Sequence, residues 1–274
     1  MFKKLLENIK LNPPLVHNIT NYVTVNDCAN IVLAAGGSPL MADDVNEVED
    51  IVSISNSLYI NVGTLNTRVI ESMLKAGKKA NELGLPVVLD PVGVGASKLR
   101  NESVKTLIDE IDFSVIKGNM SEIKALYTNA KNTGGVDVQE DDLVDNQNIE
   151  EAIEFVKKVA KKFNCVIAVT GAIDIVTDSE KVCLIRNGHA MMSKITGTGC
   201  MTGSVIATYC ASNKDNIFAV SVMAVTVMGL SGEKAYEKIV EREEGTSSFR
   251  TYLIDTVSLM DFDTLKKYAK IEIV

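Results

Sequence analysis

Three glycines crowd the segment KITGTGCMTGS, Lys194 to Ser204, which runs directly into the apolar stretch VIATYCAS. Glycine lets backbone N–H groups approach a ligand with no side chain between, and a helix starting near Cys200 adds unpaired N–H groups and a positive dipole end. Gly197, Thr198 and Gly199 therefore read as an anion turn. It could hold a phosphate, or the charge that spreads over a phosphoryl group during transfer. Cys200 stands at the mouth of this turn, where a helix N-terminus favours a thiolate, and becomes a candidate base or nucleophile. A glycine-rich connection over a small packed residue would leave the same spacing.

The other chemistry-bearing residues stand where apolar runs end. Asp90 closes PVVLD and Glu122 opens the stretch after VIKGN. A carboxylate at the end of an apolar strand needs water, a cation or hydrogen bonds, and a pair of acids beside an anion turn suits Mg²⁺, which takes one or two carboxylates and bridges phosphates. Turn or cap roles would use the same residues. Lys117, Gly118, Asn119, Thr170 and Gly171 follow further runs, as do Gly63 and Thr64. Asn21, Asn26 and Asn30 are polar groups in apolar surroundings; they either cap and brace a helix from Val23 to Ala35 or face a ligand. Met41 ends an expected loop, Ser38-Pro39-Leu40-Met41, as core filler or as a wall of an apolar pocket.

Positioning these residues takes alternating strands and helices. Strands are expected at Leu58 to Gly63, Pro86 to Asp90, FSVIKGN, CVIAVTG and VCLIRNG, and helices over Phe2 to Lys10, Thr67 to Leu83, Ser103 to Ile111 and Ile149 to Phe163, with a mostly helical tail. Continuous apolar strands alternating with amphipathic helices predict an α/β fold, doubly wound around a mainly parallel sheet with helices on both faces. Ligands then collect at the carboxyl ends of the strands. Asn129 to Asn148, KNTGGVDVQEDDLVDNQN with its flanks, reads as an exposed acidic excursion.

Composition bounds the class. The 274 residues, 46% hydrophobic and 23% charged, suit one domain over 1–274 with a large core. A net charge of −8 without a basic cluster gives no footprint for nucleic acid or an anionic membrane. Small molecules are the expected partners. Five cysteines without a CxxC pair argue against disulfides or a zinc site and for a cytoplasmic protein. No signal peptide is visible, and Ile217 to Leu230 is expected to be a buried helix rather than a membrane span. The Walker pattern is absent, and GxGxxG fails at Thr202.

These motifs together, VHNITNYVTVNDCANIVLAAGGSPLMADD, VLDPVGVGAS, VIKGNMSEI, VIAVTGAIDIVTD and KITGTGCMTGS, resemble the hydroxyethylthiazole kinase family of thiamine-salvage enzymes, from about Leu15 to Leu259. The resemblance implies a ribokinase-like fold and transfer of phosphate from ATP to the hydroxyl of hydroxyethylthiazole. It implies an ATP site along Lys117, Asn119, Thr170 and Gly171, and Mg²⁺ organised by Asp90 and Glu122. The thiazole is implied against Asn21, Val23 and Met41, with its hydroxyl near Gly197 and Cys200. Lys117 stands where the family often has arginine, so a point charge replaces a planar fork. The resemblance further implies a homotrimer with pockets between subunits, with Thr64 and Leu65 as the loop a neighbour contributes. An ATP-dependent hydrate dehydratase, another ribokinase-like small-alcohol kinase and a nucleotide-binding module without turnover are the rival readings.

Overall fold

In the computed structural model, which describes residues 2–129, 144 and 148–274, nine strands form one sheet in the order β2-β1-β3-β4-β5-β6-β7-β8-β9. Strands β1 (Leu15–Ile19), β2 (Ser38–Leu40), β3 (Ser57–Asn61), β4 (Val87–Asp90), β5 (Val115–Asn119) and β6 (Val166–Thr170) pair in parallel. Strands β7 (Asp174–Thr177), β8 (Val182–Ile185) and β9 (Ile271–Ile273) continue the sheet antiparallel. The doubly wound, mainly parallel sheet is as expected. Strands β1, β2, β7 and β9 are not among those expected from the sequence.

Ser38-Pro39-Leu40 is an edge strand and not a loop. An edge position tolerates the missing N–H of Pro39, which is why a proline here does not stop the pairing. Strand β7 follows β6 after a turn of three residues, Gly171 to Ile173, beyond the end of the expected strand CVIAVTG.

Side chains alternate across the sheet, as the two-residue period requires. Val16, Tyr59 and Val88 face one core with α1 (Phe2–Leu11), α2 (Val25–Ala34), α8 (Thr198–Ala211), α9 (Ile217–Glu241) and α10 (Thr246–Ser258). Leu58, Ile60 and Leu89 face the other, beneath α3 (Val48–Ile54), α4 (Thr67–Glu82), α5 (Lys98–Glu110), α6 (Met120–Asn129) and α7 (Ile149–Phe163). A last helix, α11 (Phe262–Tyr268), leads into β9. Helix α5 starts five residues earlier than the periodicity suggests, because the Ser97 hydroxyl accepts the Arg100 N–H and caps it.

Helix α9 is long and apolar enough to cross a membrane by length and composition, but most of its apolar stretch is buried against the sheet and α8. From β1 the chain passes to β2 on one side and then returns to β3 on the other, so β1 and β3 flank a topological switch point. The carboxyl ends of these two strands open the crevice where ligands gather in such sheets.

Candidate functional site

Helix α8 lies over β1, β3 and β4 and aims its N-terminus at that crevice. Gly197 is its N-cap at φ +91°, a left-handed conformation that favours glycine, and a Cβ there would stand 2.9 Å from Thr24 Cγ2. Thr198, Gly199 and Cys200 form the first turn, whose N–H groups have no intrahelical acceptors. The Thr198 hydroxyl donates to the Met192 carbonyl, tying the turn to the 3₁₀ segment Ala190–Lys194, so Thr198 offers the crevice its backbone.

The sulfur of Cys200 is buried and receives two carboxamide donors: Asn21 Nδ2 at 3.3 Å and Asn61 Nδ2 at 3.2 Å. Asn21 comes from the turn after β1. Its Oδ1 accepts the Thr24 N–H and its Nδ2 also reaches Asn61 Oδ1, so one side chain shapes the entry to α2 and touches the sulfur. Asn26 and Asn30 instead bond to each other on the exposed face of α2. Of the three asparagines, only Asn21 turns towards the sulfur.

Asn61 and Asp90 are register partners at the ends of β3 and β4. Asp90 is fully buried, and its Oδ2 accepts from Tyr59 Oη at 3.0 Å, Asn61 Nδ2 at 3.2 Å and Lys117 Nζ at 3.2 Å. Burial pushes its carboxyl up to about 6, against the pull of the Lys117 ammonium and with help from the Glu122 charge. Burial also disfavours the Lys117 charge, yet the Asp90 and Glu122 carboxylates outweigh it and hold the ammonium above its ordinary value. Lys117 Nζ lies 3.0 Å from where a Cβ on Gly199 would stand. A buried cation thus rests against the first turn of α8, so two positive features share one spot.

Glu122 and Asn119 form a reciprocal cap on α6. Glu122 Oε2 accepts the Asn119 N–H at 2.9 Å, and Asn119 Oδ1 accepts the Glu122 N–H at 2.8 Å. Glu122 Oε1 accepts the Gly93 N–H at 2.9 Å, which fixes the loop after β4. Asp90 Oδ1 is different: it is a buried carboxylate oxygen with no partner among the described residues. Hard oxygen donors, one of them unsatisfied, fit a magnesium ion shared with phosphates, and among the described residues no cage of three or more His, Cys, Asp or Glu side chains offers an alternative.

Asn119 and Thr170 are register partners at the ends of β5 and β6, and Gly171 follows at the same rim. The Gly171 N–H donates to Asp174 Oδ1 at 2.8 Å. Burial pushes Asp174 up to about 7, opposed by that N–H and by Lys117. On the other side of the crevice, Thr64 Oγ1 accepts the Tyr22 N–H at 3.2 Å, and a Cβ on Gly63 would lie 2.9 Å from Asn21 Nδ2. Thr64 therefore borders the Cys200 site of its own chain, whereas Leu65 packs on the core beneath α3 to α7. Met41 follows β2 and packs on the α8-side core, its loop held by the His17 Nε2–H donated to Ala42 O and by the Ser72 hydroxyl donated to Asp43 O. Val23 lies on the surface at 57% exposure, beside Tyr22 at 79%.

Tyr59, Asn61 and Asp174 had not been singled out from sequence. Asn61 carried the signal already used for Asp90, a polar residue ending an apolar strand. The strand expected over Leu58 to Gly63 hides that signal, because β3 ends at Asn61. The excursion expected over Asn129 to Asn148 falls mostly outside the described residues.

A family model, the Hydroxyethylthiazole kinase family, matches residues 6–262. A curated relative named hydroxyethylthiazole kinase from Clostridium acetobutylicum is 52% identical over 272 residues, 99% of each chain. A solved structure described as hydroxyethylthiazole kinase protein from Pyrococcus horikoshii OT3 superposes with a TM-score of 0.88 at 35% identity, covering 99% of this chain and 98% of that one. A ribokinase-like superfamily protein from Enterococcus faecalis V583 shares the fold at a TM-score of 0.61 and 12% identity, with 93% and 94% covered.

Proposed function

The chain belongs to the hydroxyethylthiazole kinase family, and from this we infer what the residues of its crevice do. The protein is a kinase that transfers the terminal phosphoryl group of ATP to the hydroxyl of hydroxyethylthiazole in thiamine salvage. The observation that carries the site assignment is the meeting of a carboxamide-held sulfur with a buried lysine at one helix N-terminus. ATP runs along Lys117, Asn119, Thr170 and Gly171. Its terminal phosphoryl group faces the N–H groups of Gly197, Thr198 and Gly199 and the Lys117 ammonium, which stabilise the charge that spreads over the transferring group. The thiazole sits against Asn21, Val23, Met41, Thr64 and Leu65. A small neutral heteroaromatic alcohol needs such an apolar wall with few polar groups.

Cys200 Sγ meets the substrate hydroxyl and accepts or orients its proton, while the Asn21 and Asn61 carboxamides keep the sulfur in place. Magnesium, held by Asp90 and Glu122, would neutralise phosphate charge when bound. Asp90 supplies the free Oδ1; Glu122 keeps the neighbouring loop ordered through Gly93. All five cysteines are unpaired thiols, which suits a cytoplasmic setting. The native chain should form ADP only when the thiazole alcohol is added, with the phosphorus found on that alcohol. ADP and free phosphate appearing without the alcohol would overturn the reading in favour of a dehydratase or a simple ATPase.

We place the protein in a homotrimer with its pockets between subunits. Tyr22, Val23, Val25 and Leu33 are exposed along the segment that enters and forms α2, beside the crevice. Exposed apolar side chains grouped at a binding rim suit burial by a neighbour, and heterologous contacts closing into a ring would cover them in every copy. Sedimentation should give three chains per particle, and Val23→Asp should shift the particle towards monomer and raise the KM for the thiazole. A native chain that sediments as a monomer while turning over the alcohol would remove the shared pocket.

A further inference from the structure

Two loops carry the polar half of the crevice. Residues 62–64 follow β3, whose last residue Asn61 reaches the sulfur, and bring Gly63 against Asn21 and Asn61, whereas residues 91–95 follow β4, whose last residue Asp90 meets Lys117. At their bases the Val62 N–H donates to the Asp90 carbonyl at 3.2 Å, where the sheet pairing ends. Beyond that point Arg100 bridges them. It stands in the first turn of α5, half-buried, and its Nη1 donates to Val62 O at 2.5 Å and Val92 O at 2.7 Å while Nη2 donates to Gly63 O at 2.7 Å. Two carbonyls belong to the β3 loop and one to the β4 loop.

The rest of the first turn of α5 works on the same β4 loop. Asn101 Oδ1 accepts the Gly95 N–H at 2.7 Å, and Gly93 passes so close beneath the guanidinium that a Cβ on it would lie 3.5 Å from Arg100 Nε. From the other side Glu122 Oε1 takes the Gly93 N–H. Gly93 and Gly95 hold φ values of +70° and +97°, so the loop takes a shape that ordinary residues resist and that outside contacts must maintain. A planar cation with donors in a fixed fork can satisfy carbonyls on two separate chain segments at once, and each such charge-assisted bond is stronger than a neutral one. An ammonium is a point donor and lacks that fixed span.

We propose that Arg100 is a positioning residue for phosphoryl transfer, a clamp that sets the spacing between the loop following the sulfur's carboxamide, Asn61, and the loop following Asp90. Transfer between an alcohol on one loop and a phosphoryl group beside the other depends on that spacing. A misplacement of about 1 Å away from the chemistry costs on the order of 10²-fold in rate. The proposal rests on the kinase reading above, and its test has one arm that does not use activity.

Arg100→Ala should lower kcat by roughly 10²-fold with the KM for ATP little changed. Free guanidinium ion below denaturing concentration should restore part of the loss, and sodium chloride at equal ionic strength should not. By amide hydrogen exchange, Arg100→Ala should speed exchange at 62–64 and 92–95 and leave β5 and β6 protected. Arg100→Lys, which keeps the stem and the charge, guards against an alanine chain that does not fold and should also lose kcat. Native kcat in Arg100→Lys together with unchanged loop exchange in either variant would overturn the clamp. A native chain that makes no thiazole phosphate would instead remove the kinase reading, and the exchange arm would still decide whether Arg100 holds the two loops.

Discussion

Cys200→Ala lowers kcat by about 10²–10⁴-fold while ATP binding changes little. The substitution removes one atom, the sulfur held between the Asn21 and Asn61 carboxamides, and keeps the Cβ that packs in the first turn of α8. The anion turn and the Lys117 cation stay in place, so the nucleotide keeps its contacts. If positioning and charge stabilisation dominate the transfer, the loss falls near the lower figure, because the remaining turn still supports the reaction. A proton acceptor required in the transition state moves it towards the upper one. Cys200→Ser retains a hydrogen-bonding atom and should lie between alanine and the native chain. Steady-state rates with ATP and the thiazole alcohol varied separately distinguish these outcomes, and native kcat in the alanine variant would remove Cys200 from the chemistry.

The parts of this site that were legible in the sequence share one property: their signal is local. Gly197, Gly199 and Cys200 sit in one short turn entering an apolar helix, and Asp90, Lys117 and Thr170 each occupy the last residues of an apolar strand. A parallel sheet then gathers such residues on one rim without further information. Tyr59 was not legible because in LYIN it reads as an aromatic core residue; only the packing of β3 against β4 brings its hydroxyl to Asp90. Arg100 lies in a helix whose start was placed too late, and its partners are carbonyls, which carry no sequence signal at all. Glu122 was legible as a charged residue at a helix start, but its bond to Gly93 depends on how a separate loop folds back. The edge strand β2 was hidden by Pro39, and β9 by three exposed residues with no second apolar face to mark them.

Lys117→Met destabilises the protein by about 3–5 kcal/mol at pH 8, the range for removing one partner of a buried ion pair. Exposed pairs on this surface, such as Lys98 with Glu102, contribute at most about 1 kcal/mol, because water screens them. The Lys117 and Asp90 side chains are only 5% and 0% exposed, so no water replaces the lost partner. Asp90 responds by holding its proton. Its carboxyl already stands at about 6 beside the lysine, raised from 3.8 mainly by burial, and losing the ammonium raises it further. The folded variant therefore binds a proton over a wider pH range than the native fold, and its deficit grows as pH rises through about 6. Below that value Asp90 is neutral in both chains and the two should melt more nearly together. Urea unfolding at pH 5 and pH 8 reads this difference, and Asp90→Asn added to Lys117→Met should recover most of the stability at pH 8. Turnover should not return with it, because the α8 turn still lacks the Lys117 cation and the second change also removes the carboxylate assigned above to magnesium. A deficit of equal size at both pH values would show that Lys117 stabilises the fold through its aliphatic stem and not through its charge.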